Sequence, residues 1–315
     1  MNIINLSPST PVPPACAATI GFFDGVHRGH RYLISHVIGS ARQAGLRSAV
    51  VTFARHPRLV LHSDYRPELL STAEEKLALL AQTGVDECAV LPFDARMASL
   101  PAREFMQSVL LQRLNVRRLV IGYDNRFGRG RAEGFADYAA YGRELGIDVE
   151  QWQPMEVGGV RVSSSVVRSL LREGEVAMAA RCLGYTYTIG GTVAEGRHVG
   201  SRLGFATANL VPDEPLKLVP AGGVYAVEAR IDGSREPLPA MTNIGRRPTF
   251  DNGQTTIETH IMGLSGQLYG HRLSLSFVSR LRDERKFRSA AELANQLRHD
   301  MEEAAARLAE RSRRE

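Results

Sequence analysis

The apolar residues of this chain change their pattern near Leu183 and Gly184, and this change constrains the fold most strongly. Before it, short apolar runs typical of buried strands alternate with segments of helical period. After it, β-branched and alternating runs follow one another, separated by Gly, Pro and Asp turns. A chain of 315 residues also exceeds the length of one average domain. The sequence therefore predicts two domains, over residues 1–183 and 184–315.

The first half predicts an α/β domain with a Rossmann-like parallel sheet and helices on both faces. Thr72 and Glu75 give one of its predicted helices a capping-box start. Ligands of such sheets bind beyond the carboxyl ends of the strands. The predicted strands are Ala17–Phe23, Ser48–Phe53, Cys88–Phe93 and Arg118–Gly122, and the predicted helices span about 29–43, 73–84 and 101–114.

The second half predicts a small antiparallel sheet or β-barrel followed by a terminal helix. Residues 289–311 have the period of one amphipathic helix, and its arginine-rich end is typical of a solvated helix terminus. The predicted strands are Tyr185–Val193, Gly223–Ile231, Met241–Ile244, Thr255–Met262 and Arg272–Val278.

The composition excludes several classes of protein. With 43% hydrophobic and 23% charged residues the chain is unlike a disordered protein. Its three cysteines are scattered without a CxxC pair, which argues against a disulfide framework or a zinc site and fits a reducing compartment. No apolar run approaches the roughly 18 residues that span a bilayer. We therefore expect a cytoplasmic protein without membrane or nucleic-acid partners.

The segment Gly21–His30, with the sequence GFFDGVHRGH, joins the first predicted strand to a helix. His27 and His30 are three residues apart and share a face of the helix start, where free N–H groups attract anions. Two imidazoles there would stabilise the charge that develops during phosphoryl displacement. The alternatives are an HxxH metal pair, for which a third ligand is not evident nearby, or a surface turn. The pattern favours an ATP phosphate site, and we assign to ATP or flavin binding Gly21, Phe23, Asp24 and Gly25.

Two later segments belong with this loop. Gly122–Gly128 is a glycine-flanked loop after a predicted strand and carries Asp124 and Arg126. Ser163–Ser165 opens a predicted helix with three hydroxyls, and Arg168 follows one turn later. Serines at such positions are more often helix caps, although this group would also form a phosphate clamp. Because no lysine follows a glycine, a Walker A loop is absent.

Together the segments resemble the prokaryotic bifunctional riboflavin kinase/FAD synthetase family, over about residues 16–306 and in the family's order. Three sites depart from the family pattern, one of them Gly263-Leu264, which replaces a stretch that is often more polar or acidic. Ala206 replaces a proline that usually precedes Thr207, and Asn125 stands where many members have an aromatic residue. The matching segments are Gly21–His30, Gly122–Gly128, Ser163–Arg168, Gly196–Leu210, Asn243–Phe250, Glu258–His260, Leu268–Gly270 and Leu281–Glu284.

The resemblance implies two ATP-dependent reactions. The C-terminal domain would phosphorylate riboflavin to FMN, with Glu258 as catalytic base and with Thr207 and Asn209 as ligands of Mg²⁺. The N-terminal domain would adenylylate FMN to FAD and release pyrophosphate. The residues implied in that transfer are His27, His30, Ser164 and Arg168. Further implied ATP or flavin contacts are Asp124, Arg126, Ser163, Gly196, Gly200 and Asn243.

Two other functions stay open at this point. One is an adenylyltransferase for a different phosphorylated metabolite, with the β-rich half as a regulatory module. The other is a flavin- or RNA-binding protein that has lost catalysis. The order of Thr207, Asn209 and Glu258 favours the enzyme with two activities, with riboflavin, FMN and ATP as its small-molecule substrates and its oligomeric state left open.

Overall fold

The computed structural model describes residues 1–56, 59, 66–195, 207–246, 255–264 and 266–313. The chain divides into two compact units, Met1–Ser164 and Ser165–Glu315. The sequence-based boundary between residues 183 and 184 stays a prediction for the functional domains. Three positions singled out in the sequence, Gly196, Gly200 and Ala206, lie outside the described residues.

The first unit is built on a six-stranded sheet with the order β1-β4-β3-β2-β5-β6, in which every neighbouring pair is parallel. This confirms the predicted parallel sheet. Its strands are β1 (Asn2–Asn5), β2 (Cys16–Ile20), β3 (Arg47–Phe53), β4 (Glu87–Leu91), β5 (Val116–Gly122) and β6 (Asp148–Trp152). Its helices are α1 (Arg28–Gln43), α2 (Ala73–Ala81), α3 (Ala95–Ser99), α4 (Ala102–Phe105) and α5 (Phe135–Leu145), and a short hairpin pairs β7 (Glu156–Val157) with β8 (Val160–Arg161).

Helices cover both faces of this sheet because strand residues alternate between two apolar clusters. In β2, Ala17 packs in the cluster that contains Ile34 of α1, whereas Ala18 packs in the cluster that contains Phe105 of α4. The two central strands, β2 and β5, are neighbours, but the chain leaves them toward opposite edges of the sheet. Their carboxyl ends therefore flank the topological switch point, where open α/β sheets bind ligands.

Several elements differ from the sequence prediction, among them the following three. Strand β2 ends at Ile20, before the predicted Phe23, because the backbone of Phe23 is left-handed with φ of 54°. The helix predicted from residue 101 to 114 is α4 followed by a π-helical segment, Met106–Leu111. Edge strand β1 was not predicted at all.

In the second unit, six antiparallel strands close into a barrel with the order β10-β13-β12-β11-β14-β9. The predicted small barrel is thus confirmed, although β10 was not among the predicted strands. The strands are β9 (Thr188–Ala194), β10 (Ala208–Pro212), β11 (Gly223–Ile231), β12 (Leu238–Arg246), β13 (Thr255–Ile261) and β14 (Arg272–Arg282). The helices are α6 (Ser164–Glu173), which begins at the last residue of the first unit, α7 (Val176–Leu183) and α8 (Ala290–Ser312).

The predicted terminal helix is α8, and it packs on the outside of the barrel. Ser289 caps it by accepting the N–H of Glu292 at 3.2 Å. Ala304 lies in one apolar cluster with Met241 of β12. The next residue of β12, Thr242, points the other way and contacts the Thr259 hydroxyl at 2.9 Å. Outward and inward positions therefore alternate along β12, and Met241 marks the outer, helix-covered face.

Candidate active sites

The loop after β2 brings the two predicted histidines together. His27 is the N-cap of α1, is 4% exposed, and its Nδ1 accepts the N–H of His30 at 3.2 Å. Because Nδ1 acts as acceptor, the ring proton of His27 resides on Nε2. The two imidazoles stack with their centroids 3.6 Å apart and their planes 16° apart. The expectation that they share one face of the helix start is confirmed.

Two glycines of this loop lie against aromatic rings of the same loop, where a larger residue would clash. A Cβ on Gly29 would lie 3.2 Å from the His27 ring and 3.3 Å from the Val162 carbonyl. A Cβ on Gly21 would lie 3.1 Å from the ring of Phe23. Gly25 has φ of 74°, which only glycine adopts without strain. The paired imidazoles thus depend on small neighbours.

Asp24 anchors the loop from within. Its carboxylate is 3% exposed and accepts the N–H groups of Leu70 at 3.0 Å and Ser71 at 3.1 Å. Its carbonyl accepts the hydroxyl of Ser164 at 3.0 Å. These contacts direct the Asp24 carboxylate toward the segment before α2, and its assignment to ATP or flavin binding stays a prediction. They tie the loop to the segment before α2 and to the start of α6.

Lys76 lies behind the same loop, and nothing in the sequence predicted a role for it. Its side chain is 4% exposed, and its Nζ donates to the Phe53 carbonyl at 2.9 Å. The ammonium also lies 4.1 Å from the centroid of the Phe22 ring. Burial lowers the pKa of Lys76 to about 8, although the neighbouring Asp24 raises it in part.

The loop after β5 meets the loop after β2 at the switch point. Asn125 donates from its side-chain amide to the carbonyl of Ile20, the last residue of β2. At the position where the resemblance leads one to expect an aromatic, Asn125 thus joins the two strand ends. Asp124 and Arg126 are exposed on either side of it. Gly128 closes the loop with φ of 87°, where a Cβ would come within 2.7 Å of the Ala102 nitrogen.

The serine segment begins a helix, as predicted. Helix α6 starts at Ser164, whose hydroxyl makes the bond to Asp24 described above. Ser163 immediately precedes the helix and is half-buried. Arg168 follows Ser164 by four residues and is half-buried, so both project from one face of α6.

In the barrel, three predicted residues occupy one row across neighbouring strands. Glu258 of β13 is directly opposite Asn209 of β10 and Asn243 of β12. Opposed residues in antiparallel strands point to the same face, so the carboxylate lies between two amides. Since Asn243 is two residues from Met241, this row is on the outer face of the barrel.

A cavity of about 280 Å³ opens on that face beside α8. Thr207, Asn243 and Glu258 line it, and Asn209 is adjacent through its pairing with Glu258. The sequence predicted no role in this cavity for the wall that the C-terminal segment supplies. The other lining residues are Val224, Met241, Thr242, His260, Arg282, Glu284, Arg285, Phe287, Leu293 and Leu297.

An ion pair holds the far wall of this cavity. Arg282 at the end of β14 donates to Asp300 of α8 from Nε at 2.9 Å and from Nη2 at 2.7 Å. Asp300 is 1% exposed and also accepts from Gln296 at 2.6 Å. The guanidinium carbons of Arg282 and Arg285 lie 5.7 and 4.8 Å from the centroid of the Phe287 ring. The match of residues 281–284 to a family segment was the one sequence signal for this wall.

One unit has a parallel sheet with paired imidazoles at its switch point, and the other has a barrel with a carboxylate between amides, as expected of a two-domain phosphotransfer enzyme. Residues 9–166 match the FAD synthetase family and residues 183–308 match the riboflavin kinase family. The chain therefore belongs to the bifunctional riboflavin kinase/FMN adenylyltransferase family, as the sequence resemblance indicated.

Individual relatives support this assignment. The chain is 38% identical over 287 residues to the bifunctional riboflavin kinase/FMN adenylyltransferase of Escherichia coli strain K12, covering 90% of each chain. It is 34% identical over 292 residues to the enzyme of that name from Bacillus subtilis, again covering 90% of each.

Among solved structures, one from Streptococcus pneumoniae named macrolide-efflux protein superposes with a TM-score of 0.85. It is 30% identical, with 96% of this chain and 98% of that chain covered. Within the described part of the present chain, no helix has both the length and the apolar character needed to cross a membrane.

Proposed function

We propose that this chain carries out two successive ATP-dependent reactions, phosphorylating riboflavin to FMN in the barrel and adenylylating FMN to FAD at the parallel sheet. The observation that carries the proposal is the presence of two separate constellations, one in each unit. The stacked His27–His30 pair suits a polyphosphate, whereas the row around Glu258 suits proton abstraction from a hydroxyl. A cytoplasmic location and the absence of membrane or nucleic-acid partners are part of the same proposal.

In adenylyl transfer, a phosphate oxygen of FMN attacks the α-phosphorus of ATP and pyrophosphate leaves. His27 is pre-oriented for this step, because its Nδ1 accepts a backbone N–H, which places the ring proton on Nε2. Together with the amino end of α1, the two imidazoles stabilise the charge on the phosphoryl oxygens in the transition state. Ser164 and Arg168 complete the phosphate contacts from α6.

In the kinase reaction, the terminal ribityl hydroxyl of riboflavin attacks the γ-phosphorus of ATP, and ADP leaves. Glu258 takes the hydroxyl proton as the bond to phosphorus forms. The amides of Asn209 and Asn243 flank its carboxylate and orient it within the row. The apolar side of the cavity, with Phe287 and Leu297, suits the flavin ring system.

The residues before and within β10 fit a magnesium ion. Thr207 offers a hydroxyl and Asn209 an amide oxygen, and Mg²⁺ prefers oxygen ligands that it shares with phosphates and water. When bound, the ion neutralises charge on the phosphate oxygens of ATP. We therefore propose Mg²⁺ as the cofactor, with Thr207 and Asn209 as its protein ligands and with FMN and FAD as products.

The test is to incubate the purified chain with riboflavin, ATP and Mg²⁺ and to separate the flavins. His27→Ala should accumulate FMN without FAD, whereas Glu258→Ala should make no FMN from riboflavin yet convert supplied FMN to FAD. His271→Ala and Glu228→Ala, at other positions of the barrel unit, serve as controls that retain both reactions. If either active-site variant lost both reactions while folded, the assignment of two sites would be wrong.

A further inference from the structure

Two of the three lysines of this chain are buried, and Lys76 is the one behind the histidine loop. It lies in the first turn of α2, and its Nζ is shared between the Phe53 carbonyl and the face of Phe22. The ring of His56 meets the Phe22 ring at 4.6 Å with an interplanar angle of 68°. Phe22, the second residue of the loop, is therefore held by a cation on its face and by a second ring.

The same helix start holds the loop at a second point. Leu70 and Ser71, which bind the Asp24 carboxylate, immediately precede Thr72, the N-cap of α2. Both capping-box bonds of Thr72 are present, and they stabilise this helix start. Phe22 and Asp24 are thus tied to one short stretch of chain, and the backbone runs from them directly to His27.

We propose that Lys76 is a positioning residue for adenylyl transfer, whose ammonium fixes Phe22 and thereby the course of the loop that carries His27 and His30. The inference rests on the proposed function of that loop. At 4% exposure Lys76 is shielded from solvent, so it acts through Phe22 rather than by touching a nucleotide.

The interaction of Lys76 with the Phe22 ring depends on pH, because it requires the charged ammonium group. The titratable groups facing it are Asp24 from the loop and Cys88 from β4, and His56 packs against the Phe22 ring. Burial raises the pKa of Cys88 to about 11, so this thiol stays neutral where Lys76 titrates. With its pKa lowered to about 8, Lys76 loses its charge above that pH, and the attraction to the Phe22 ring is lost with it.

The contribution of Lys76 to the stability of the fold changes with pH in the opposite direction to its support of Phe22. The unfolded chain keeps the lysine proton up to the ordinary value of 10.5, so between about 8 and 10.5 the unfolded state binds more protons than the folded state. The contribution of Lys76 to the free energy of unfolding therefore rises with pH in this window. Between about pH 8 and 10.5, the rate of adenylyl transfer should therefore fall, whereas the contribution of Lys76 to the free energy of unfolding should rise. These opposite trends distinguish a positioning role from a structural one.

The experiment measures kcat for FMN adenylylation and for riboflavin phosphorylation in the same chain, from neutral to alkaline pH. We expect the transferase rate of the unchanged protein, relative to the kinase rate, to fall as pH rises through 8. Lys76→Met should lower the transferase kcat at neutral pH by about tenfold and abolish the alkaline fall. Lys76→Arg should retain the neutral rate and extend it to higher pH, because a guanidinium stays charged.

Lys217→Met is the matched control, since Lys217 is buried beside the Tyr187 ring in the other unit. It should leave the transferase profile unchanged. A Lys76→Met protein with an unaltered transferase rate and pH profile would overturn the inference while leaving the proposed function intact. If Lys76→Met does not fold, a Lys76→Arg protein with an undiminished alkaline fall overturns it instead. Absence of FAD formation by the unchanged protein at every pH would overturn the function of the loop as well.

Discussion

The two candidate sites are built in different ways. At the parallel sheet, the His27–His30 pair stands on an irregular loop, which includes the left-handed residue Phe23 and is held by the buried charges of Asp24 and Lys76. In the barrel, Glu258 stands in a regular strand, and the pairing register alone sets its neighbours. The geometry of the first site therefore depends on the buried contacts of Asp24 and Lys76. The geometry of the second depends on strand pairing and on helix α8, which lines its cavity.

The largest expected effect comes from breaking the wall of the barrel cavity. Asp300→Asn leaves the partly buried Arg282 without its charge partner, which should lower the free energy of unfolding of the barrel unit by about 3–5 kcal/mol. Riboflavin phosphorylation should fall while FMN adenylylation persists. Hydrogen exchange along α8 and the KM for riboflavin measure the two consequences.

Glu303→Gln is the matched control in the same helix, because its ion pair with Arg307 is solvent-exposed at 3.4 Å. This variant should lower the free energy of unfolding by less than about 1 kcal/mol. Equal destabilisation by the two variants would contradict the importance of the buried pair.

The next effect tests the support of the irregular loop. Asp24→Asn replaces one accepting oxygen by an amide donor that faces the N–H groups of Leu70 and Ser71. The first unit should lose about 1–3 kcal/mol, and FMN adenylylation should fall while the kinase reaction continues. Faster hydrogen exchange of the two amides reports the loosened contact, and fluorescence of Trp152, the only tryptophan, follows unfolding of this unit.

Asp94→Asn controls for the chemical change itself. Asp94 caps α3 in the same unit by accepting the N–H of Met97 at 2.7 Å. Asparagine caps about as well as aspartate, so this variant should behave as the unchanged protein. A loss of transferase activity in both variants would argue against a specific role of Asp24.

The smallest expected effect comes from comparing alanine substitutions at two glycines of α1. Gly29→Ala places a methyl group against the His27 ring and should slow adenylyl transfer about tenfold, equivalent to about 1.4 kcal/mol in the barrier. Gly39→Ala meets open space in the middle of the same helix and should stabilise it by about 0.5–1 kcal/mol without changing either rate. The comparison fails if Gly29→Ala leaves the FAD-forming rate untouched.

Local patterns made part of this structure predictable. The Thr72 capping box, the helix start at Ser289 and the shared face of His27 and His30 each depend on residues three apart, which sequence spacing encodes directly. The alternation of strands and helices likewise gave the parallel sheet. In the barrel, however, spacing indicates strands without fixing their register, so the row around Glu258 followed only from the structure.

Long-range contacts explain what the sequence concealed. Asp24 meets Leu70 across 46 residues, and Asn125 meets Ile20 across 105. Nothing in the neighbourhood of Lys76 in the chain distinguishes it from a solvated lysine of an amphipathic helix. Lys76 is buried because it packs against Phe22, which follows β2, and against Phe53, the last residue of β3.

The fixed register of β13 has a consequence for how this enzyme can vary. Because side chains alternate at every residue, deleting a single position between Thr255 and Glu258 would rotate the carboxylate into the closed interior occupied by Thr259. Length changes in that strand are therefore forbidden even where exchanges of side chains are tolerated. Insertions and deletions compatible with FMN synthesis should accumulate instead in turns such as 232–237, which leave every strand pairing untouched.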